Sequence, residues 1–191
     1  MTDTAERLLD AVDRVITDHG PSGVTLRRVG AEAGLSHTAA AHYYQDKPGL
    51  FTAYITRAWN QVADRVETAA AIDDDRAALL AAAEGYGSFA LEHPAAFSVM
   101  SRLELARVDT PELWAARERG FLTLAALFGR AQGNGWATER DPLDLIGITW
   151  GMVHGFVDLW VGGPLAAPYD GNELVPTLRR VVNDVLDALD R

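Results

Sequence analysis

The sequence predicts an all-α fold of about nine helices. Apolar residues recur three and four positions apart, a spacing that lines one face of a helix. No window shows sustained two-residue alternation with β-branched residues, the pattern that predicts a strand. Gly and Pro divide the 191 residues into segments of helical length, and 48% hydrophobic residues suffice for a sizeable core.

The composition excludes several kinds of site. The chain has no cysteine, so disulfides, thiolate metal sites and cysteine nucleophiles are excluded. The N-terminus, MTDTAERLLD, has no basic start followed by an apolar run and does not predict a signal peptide. The most apolar stretch, residues 145–163, contains His154 and Asp158 and fits a buried helix better than a membrane span. We therefore expect a cytoplasmic protein.

The net charge of −10 would by itself argue against a nucleic-acid partner, because phosphate neutralisation dominates such affinity. The charge is uneven, however. Residues 1–60 hold six Lys and Arg against seven Asp and Glu, whereas the remainder holds eleven against twenty. A local basic face near the N-terminus is therefore compatible with the sequence. Sixteen arginines against one lysine, with abundant alanine, are typical of a GC-rich bacterial genome.

Four helices are predicted in the first seventy residues, at about 4–18, 26–33, 37–44 and 47–70. Gly20 and Pro21 end the first helix. Thr25 and Ser36 are N-caps of the two short helices that follow. Pro48 is tolerated in the first turn of the long fourth helix.

The two short helices form a predicted helix-turn-helix. They are joined by Ala33-Gly34-Leu35-Ser36, a tight turn in which Gly34 takes the left-handed conformation at no steric cost. The second helix then presents an outward face to a DNA major groove, formed by His37, Thr38, Ala41 and His42.

Five further helices are predicted after residue 70, at about 76–92, 95–106, 111–132, 142–162 and 172–190. The breaks contain Gly, Pro or acidic turn residues. A domain boundary is expected within the long fourth helix near residue 60. It gives a DNA-binding domain over 1–60 and a ligand-binding and dimerisation domain over 61–191.

The segment GPSGVTLRRVGAEAGLSHTAAAHYYQDKPGLFTAYI, residues 20–55, resembles the DNA-binding domain of the TetR family. The matching features are the lead from Gly20 to Thr25, the turn at 33–36, the aromatic pair at 43–44 and the Lys47-x-x-Leu50 pattern. Two features depart from the family. Ala40 and Ala41 stand where a branched aliphatic residue and a tyrosine are usual, and the recognition helix lacks Lys and Arg.

Four of the candidate DNA contacts, at Thr25, Arg27, Arg28 and Ser36, also have a plainer explanation. Lys47 lies at a helix start that favours phosphate, and the two capping hydroxyls can cap and contact phosphate at once. Arg27 and Arg28 reach the DNA backbone, pair with acids of the first helix, or are solvated surface charges. The predicted DNA-binding residues are Thr25, Arg27, Arg28, Ser36, His37, Thr38, His42, Tyr43 and Lys47.

Residues 150–155, Trp-Gly-Met-Val-His-Gly, resemble the Trp–His–Gly motif of one C-terminal domain class among TetR regulators. A histidine within an apolar helix needs a partner. It is either a core histidine or the polar group of an apolar ligand pocket. The predicted pocket residues are Phe97, Met100, Trp114, Trp150 and His154, and the expected ligand is a hydrophobic or aromatic small molecule.

The last two helices have broad apolar faces that need a cover. In the family that the chain resembles, these helices form a four-helix bundle with a twin subunit, which implies a twofold-symmetric homodimer and a palindromic operator. The predicted interface residues are Ile148, Met152, Phe156, Leu178, Val182, Val185 and Leu189.

The resemblance implies a repressor that binds an operator and is released by a small-molecule effector. One alternative is an orphan or architectural DNA-binding protein without an inducer. The other is an enzyme that uses His154 and Asp158, which lie four residues apart on one face. No nucleophile or third metal ligand accompanies that pair, so no enzymatic activity, cofactor or metal is predicted. The protein is expected to be nucleoid-associated when bound to DNA.

Overall fold

The computed structural model describes residues 2–169 and 172–190. Within them there is no β-strand. The nine α-helices of this part are α1 Thr2–His19, α2 Leu26–Glu32, α3 His37–Tyr44, α4 Lys47–Ala70, α5 Asp75–Glu92, α6 Pro94–Met100, α7 Pro111–Gly133, α8 Pro142–Val161 and α9 Leu174–Leu189. The predicted all-α class is confirmed. None of the helices in the described ranges is long and apolar enough to cross a membrane.

The chain forms two compact units. The first contains the N-terminal helices up to Asn60 together with His93–Arg117, and the second contains Gln61–Glu92 and the chain from Glu118 onward. The first division between the units falls within α4, after Asn60. The sequence does not predict that His93–Arg117 belongs to the first unit. This placement depends on contacts between residues far apart in sequence, which local patterns do not reveal.

One predicted helix is too long. The expected helix over 95–106 ends at Met100, because the main chain leaves helical geometry at Arg102 (φ −91°, ψ 70°). The backbone N–H of Arg107 then donates to Thr52 Oγ1 on α4 at 2.9 Å. A long-range hydrogen bond therefore holds this segment, and local residue patterns do not reveal such a bond.

The first unit is built around the apolar stripe of α1, which is buried as predicted, including Leu8, Val12 and Val15. The buried side of α4 carries Tyr54, whose hydroxyl donates to Asp13 Oδ1 at 2.6 Å. Burial is the main cause that raises the pKa of Tyr54, so this hydroxyl stays protonated at neutral pH. Farther along α4, Trp59 Nε1 donates to the Met100 carbonyl at 3.0 Å.

The second unit is built around α9, which packs its apolar face against α5 and α8. Gly87 on α5 permits this packing, because a Cβ placed there would lie 2.9 Å from Leu178 Cδ2. At the edge of the contact, the Arg76 guanidinium donates to Asn183 Oδ1 at 2.9 Å. The terminal helix is therefore held by α5 and α8 of the same chain.

Candidate DNA-binding and ligand-binding sites

The helix-turn-helix is fixed by caps that the sequence predicts. Thr25 Oγ1 accepts from the Arg28 N–H at 3.1 Å, and Ser36 Oγ accepts from the Ala39 N–H at 3.2 Å. Gly34 has φ 68°, the predicted left-handed conformation. The Leu35 N–H closes the turn by donating to the Gly30 carbonyl at 2.8 Å. These bonds set the direction in which α3 begins.

The outward side of α3 carries no Lys or Arg. Thr38 and His42 are exposed, whereas Ala40 is completely buried. His37 begins the helix, but its side chain lies outside those that the structure describes. Because Ala40 faces the core, it fills less of the core than the branched aliphatic residue that is usual at this position. Its neighbour Ala41 is partly exposed on the outer side of α3.

Most cations of the N-terminal sixty residues have partners within the first unit. Arg14 pairs with Glu32 at 2.6 Å, and Arg57 pairs with Asp10 at 2.7 Å. Arg28 instead donates to the Gly23 carbonyl at 2.7 Å, and this neutral acceptor does not cancel the charge of the guanidinium. These pairings reduce the positive charge that is available to a phosphate backbone.

Two further cations remain available around α3. Lys47 lies at the start of α4, with Nζ 3.3 Å from the Pro21 carbonyl and 5.6 Å from the Phe51 ring centre. Arg27 is exposed on α2. Together with Arg28, both side chains keep a charge that no carboxylate neutralises among the described residues.

The two tyrosines at the end of α3 have different roles. Tyr44 donates its hydroxyl to the Ala5 carbonyl at 3.0 Å, and burial, followed by the charge of Glu6, raises the pKa of Tyr44 to about 12. It therefore joins α3 to α1. Tyr43 is only partly buried and makes an edge contact with His42, with ring centres 5.7 Å apart. Its position is compatible with the DNA contact predicted for Tyr43, which stays a prediction.

Sequence reasoning missed Asp46, which precedes α4. Its Oδ1 accepts from the Gly49 N–H at 2.8 Å, and its Oδ2 accepts from Arg107 Nη2 at 2.6 Å. The bond from Gly49, with a further contribution from Arg107, lowers the pKa of Asp46, so the carboxylate is charged at neutral pH. An acid two positions before a proline is a recognisable helix-start signal. The partner Arg107 has no such local signal.

In the second unit, the predicted ligand residues Trp150 and His154 both hydrogen-bond to Tyr86, which was not among the predicted ligand residues. The Tyr86 hydroxyl lies 2.7 Å from His154 Nδ1, and the Trp150 side chain also hydrogen-bonds to Tyr86. Burial raises the pKa of Tyr86, so it stays protonated. Because an indole can only donate, the Trp150 indole N–H donates to the Tyr86 hydroxyl oxygen, and the hydroxyl proton of Tyr86 can be directed to His154 Nδ1.

The other three predicted ligand residues belong to the first unit. Phe97 and Met100 on α6 are buried, whereas Trp114 on α7 is 53% exposed. The Trp114 ring is covered in part by the Arg117 guanidinium, 4.8 Å from the ring centre. Their assignment to a ligand stays a prediction.

Thr149, one residue before Trp150, is a polar residue on the buried side of α8. Its side chain is 8% exposed, and its hydroxyl has no hydrogen-bond partner within the described parts of the chain. An unpaired buried hydroxyl is costly. Sequence reasoning missed this residue, because a single threonine in a helix gives no distinguishing signal.

The predicted interface residues separate into two groups. Leu178, Val182 and Leu189 on α9 are 0%, 0% and 7% exposed in the single chain, so they pack inside the second unit and have almost no surface for a partner. Val185 is only partly buried. On α8, Ile148 is 46% exposed, and Met152 and Phe156 keep part of their surface.

In the part of the chain that the structure describes, no group of three or more potential metal ligands occurs, at His154 and Asp158 or elsewhere. Asp158 is exposed, and its charge contributes to the raised pKa of Tyr86 after burial.

Two family models match this chain. The model described as "Bacterial regulatory proteins, tetR family" matches residues 8–54, and the model described as "Tetracyclin repressor-like, C-terminal domain" matches residues 79–182, more than half of the chain. The chain belongs to the TetR family. Within this TetR-family chain, the first match covers the helix-turn-helix and the second covers Tyr86, Trp150 and His154.

The chain is also similar to proteins of known sequence or structure. The transcriptional regulator BetI of Cronobacter sakazakii is 30% identical over 131 residues, 65% of this chain and 65% of that protein, which is just under two thirds of its length. Two solved structures share the fold. One is a Rhodococcus protein with unknown function (23% identity, 98% and 96% of the two chains, TM-score 0.83), and the other is PfmR of Thermus thermophilus (20%, 97% and 97%, 0.75).

Proposed function

We propose that this TetR-family protein is a homodimeric transcription repressor that binds a palindromic operator and leaves it when a small apolar molecule binds. The observation that carries the proposal is the capped turn at Gly34, after which α3 exposes Thr38 and His42. A helix held in this way fits a major groove. The protein would be cytoplasmic, and on the nucleoid while bound to DNA.

The test for DNA binding is selection from random duplexes with the full chain, followed by affinity measurement on the selected sequence. A palindrome with half-sites about one helical turn apart is expected. Thr38→Ala should weaken binding to the selected sequence by roughly 1–3 kcal/mol, because it removes a base contact, with little change on random DNA. Equal losses on both duplexes would make Thr38 a backbone contact. Recovery of no preferred sequence would favour an architectural protein.

Dimer formation is proposed through the open face of α8. A Cβ added at Gly147, Gly151 or Gly155 would meet nothing within 4 Å, so this face can approach a second helix closely. Ile148 and Leu159 border these glycines and are 46% and 50% exposed. Such apolar exposure on a helix requires a cover.

Sedimentation of Ile148→Arg tests this interface, with Leu91→Arg as the control. Leu91 lies on α5 and is 51% exposed, so both variants place an arginine at a similarly exposed apolar position. The parent and the control should sediment as dimers and Ile148→Arg as a monomer, because a charge is expensive in an apolar interface. A dimer in all three would place the interface elsewhere.

Effector binding is proposed at Trp150, Tyr86 and His154. Their hydrogen bonds place polar atoms among aromatic rings, a combination that suits an apolar molecule with one hydrogen-bonding group. FadR of Bacillus subtilis, which shares the fold at 18% identity and a TM-score of 0.72, has been solved in complex with stearoyl-CoA. A long apolar chain is therefore a reasonable member of the test set.

Fatty and aromatic acids, with their matching alcohols and hydrocarbons, can be screened by thermal melting. An effector at one hundred times its dissociation constant should stabilise the fold by about 2.7 kcal/mol. His154→Ala should retain DNA binding yet require more effector for release, whereas Asp158→Ala, an exposed change one turn later, should respond like the parent. Equal responses of both variants would make His154 a core residue, and equal losses would favour a site that uses both.

A further inference from the structure

A carboxylate stands directly at the helix start where phosphate contact is proposed. Asp46 precedes Lys47, and its Oδ1 already accepts the Gly49 N–H at 2.8 Å. A helix N-terminus attracts anions, and here a side-chain anion occupies part of that site. An unneutralised carboxylate beside Lys47 would repel an approaching phosphate and offset part of the attraction of the lysine.

Arg107 neutralises this carboxylate. Its Nη2 donates to Asp46 Oδ2 at 2.6 Å, so the two oxygens of Asp46 serve different partners. The side-chain pair is partly exposed, at 42% for Arg107 and 48% for Asp46. An ion pair this exposed contributes little unless its geometry is well defined, so the contacts that hold Arg107 in place matter.

Backbone contacts hold Arg107 against the first turns of α4. Its N–H donates to Thr52 Oγ1 at 2.9 Å, and the Thr52 hydroxyl donates to the Pro48 carbonyl at 2.8 Å. On the other side, Thr110 Oγ1 donates to the Arg107 carbonyl at 2.8 Å. Both backbone groups of Arg107 are therefore fixed, which directs the guanidinium to the start of α4.

We infer that Arg107 is a positioning residue for DNA binding, acting through Asp46. It cancels the charge of the carboxylate that caps α4 and thereby lets Lys47 and the helix start approach a phosphate. This inference rests on the proposed DNA binding. It places part of the phosphate affinity in the segment between α6 and α7, outside the helix-turn-helix.

The test measures affinity for a duplex of arbitrary sequence over a range of salt concentrations, with the full chain. Arg107→Ala should bind roughly threefold to tenfold more weakly, with the larger loss at low salt, because repulsion from Asp46 is restored. Arg102→Ala is the matched control: it removes the same charge from the same segment, where Arg102 pairs with Glu104 at 3.0 Å. This control should bind like the parent.

The decisive variant is the double change Asp46→Asn with Arg107→Ala. Asparagine retains the cap without the charge, so the double variant should recover parental affinity, and Asp46→Asn alone should bind more tightly than the parent. Arg107→Lys should recover most of the loss. Thermal melting of each variant shows whether weaker DNA binding comes from misfolding or from charge repulsion. The tighter binding expected of Asp46→Asn cannot come from a loss of structure.

Three results would overturn the inference. A double variant as weak as Arg107→Ala would mean that Arg107 contacts DNA itself. Equal affinity of Arg107→Ala and the parent would mean that Asp46 does not oppose binding. A parent that binds no duplex under any salt condition would refute the proposed function, and this inference with it, whereas the first two results leave the proposed function intact.

Discussion

Helices α3 and α9 are specified in opposite ways. Helix α3 has eight residues, and among its described side chains one, Ala40, is completely buried; its start is set by the Ser36 cap and the left-handed backbone of Gly34. Helix α9 has sixteen residues and no side-chain cap, and it is held by a buried apolar face that includes Leu178 and Val182. The position of the short helix α3 is therefore fixed by the turn that precedes it, whereas the position of α9 is fixed by its buried side chains.

This difference determines where each helix tolerates change. Substitutions on the outer side of α3 should alter binding more than folding, because that side packs little against the core. Substitutions on the buried face of α9 should act on folding first. Four changes test this comparison.

Val182→Asp should have the largest effect, a loss of about 3 kcal/mol or more in the free energy of unfolding. Val182 is completely buried in the second unit, and aspartate there is an unpaired buried charge. Denaturant unfolding measures the loss. Val181→Asp, at the partly buried neighbouring position, should cost much less. Equal stabilities of the two variants would mean that the α9 face does not hold the unit together.

Gly34→Ala should cost about 1–2 kcal/mol, because φ 68° is unfavourable for a side chain even where space allows it. The nearest atom to an added Cβ is Arg7 Nη2 at 3.8 Å, so a clash would not explain the loss. Gly133→Ala at the end of α7 is the control. An added Cβ there meets nothing within 4 Å, and a helical alanine should be neutral or stabilising.

Ser36→Ala should cost about 1 kcal/mol of stability, because the bond from the Ala39 N–H is lost. Ser36→Asp keeps a capping acceptor and should restore the melting temperature. It should nevertheless weaken DNA binding, because its charge would face phosphate. If Ser36→Asp bound DNA like the parent, Ser36 would serve as a cap alone and would lie away from the DNA backbone.

Lys47→Ala should have the smallest effect on stability, since its ammonium makes long contacts with the Pro21 and Ser22 carbonyls, at 3.3 and 3.5 Å, and lies 5.6 Å from the centre of the Phe51 ring. It should weaken binding to all duplexes alike and reduce the salt slope by about one unit, the amount expected for a single phosphate contact. Arg180→Ala removes an exposed charge from α9 and should leave the slope unchanged. A parental slope for Lys47→Ala would remove it from the phosphate contacts.

The sequence predicts well what depends on neighbouring residues. Thr25, Gly34 and Ser36 have the predicted conformations or caps because each depends on atoms within a few positions. The stripe of α9 is also found correctly. The helices that pack on this stripe could not be predicted. An apolar face indicates that something packs on it, and only the folded chain shows that α5 and α8 do so.

Contacts between distant residues escape such reasoning. The pairs Asp46–Arg107 and Tyr86–His154 are separated by 61 and 68 positions, and neither partner has a local signal for the other. The end of α6 at Met100 belongs to the same class, since a bond to Thr52 fixes the segment that follows. The candidate ligand site could therefore be assembled only from the folded structure, whereas the helix-turn-helix could be predicted from the sequence.

The absence of Lys and Arg from α3 has a consequence for how such a regulator would find its target. A reading helix of this kind releases few counterions on random sequence, so each non-specific encounter would rest on cations outside α3, such as Lys47, Arg27 and Arg28, and α3 itself would add little to its strength or duration. A genome offers a vast excess of such encounters, and a protein that leaves them quickly keeps more of its copies in free solution. Occupancy of one operator would then require fewer molecules per cell.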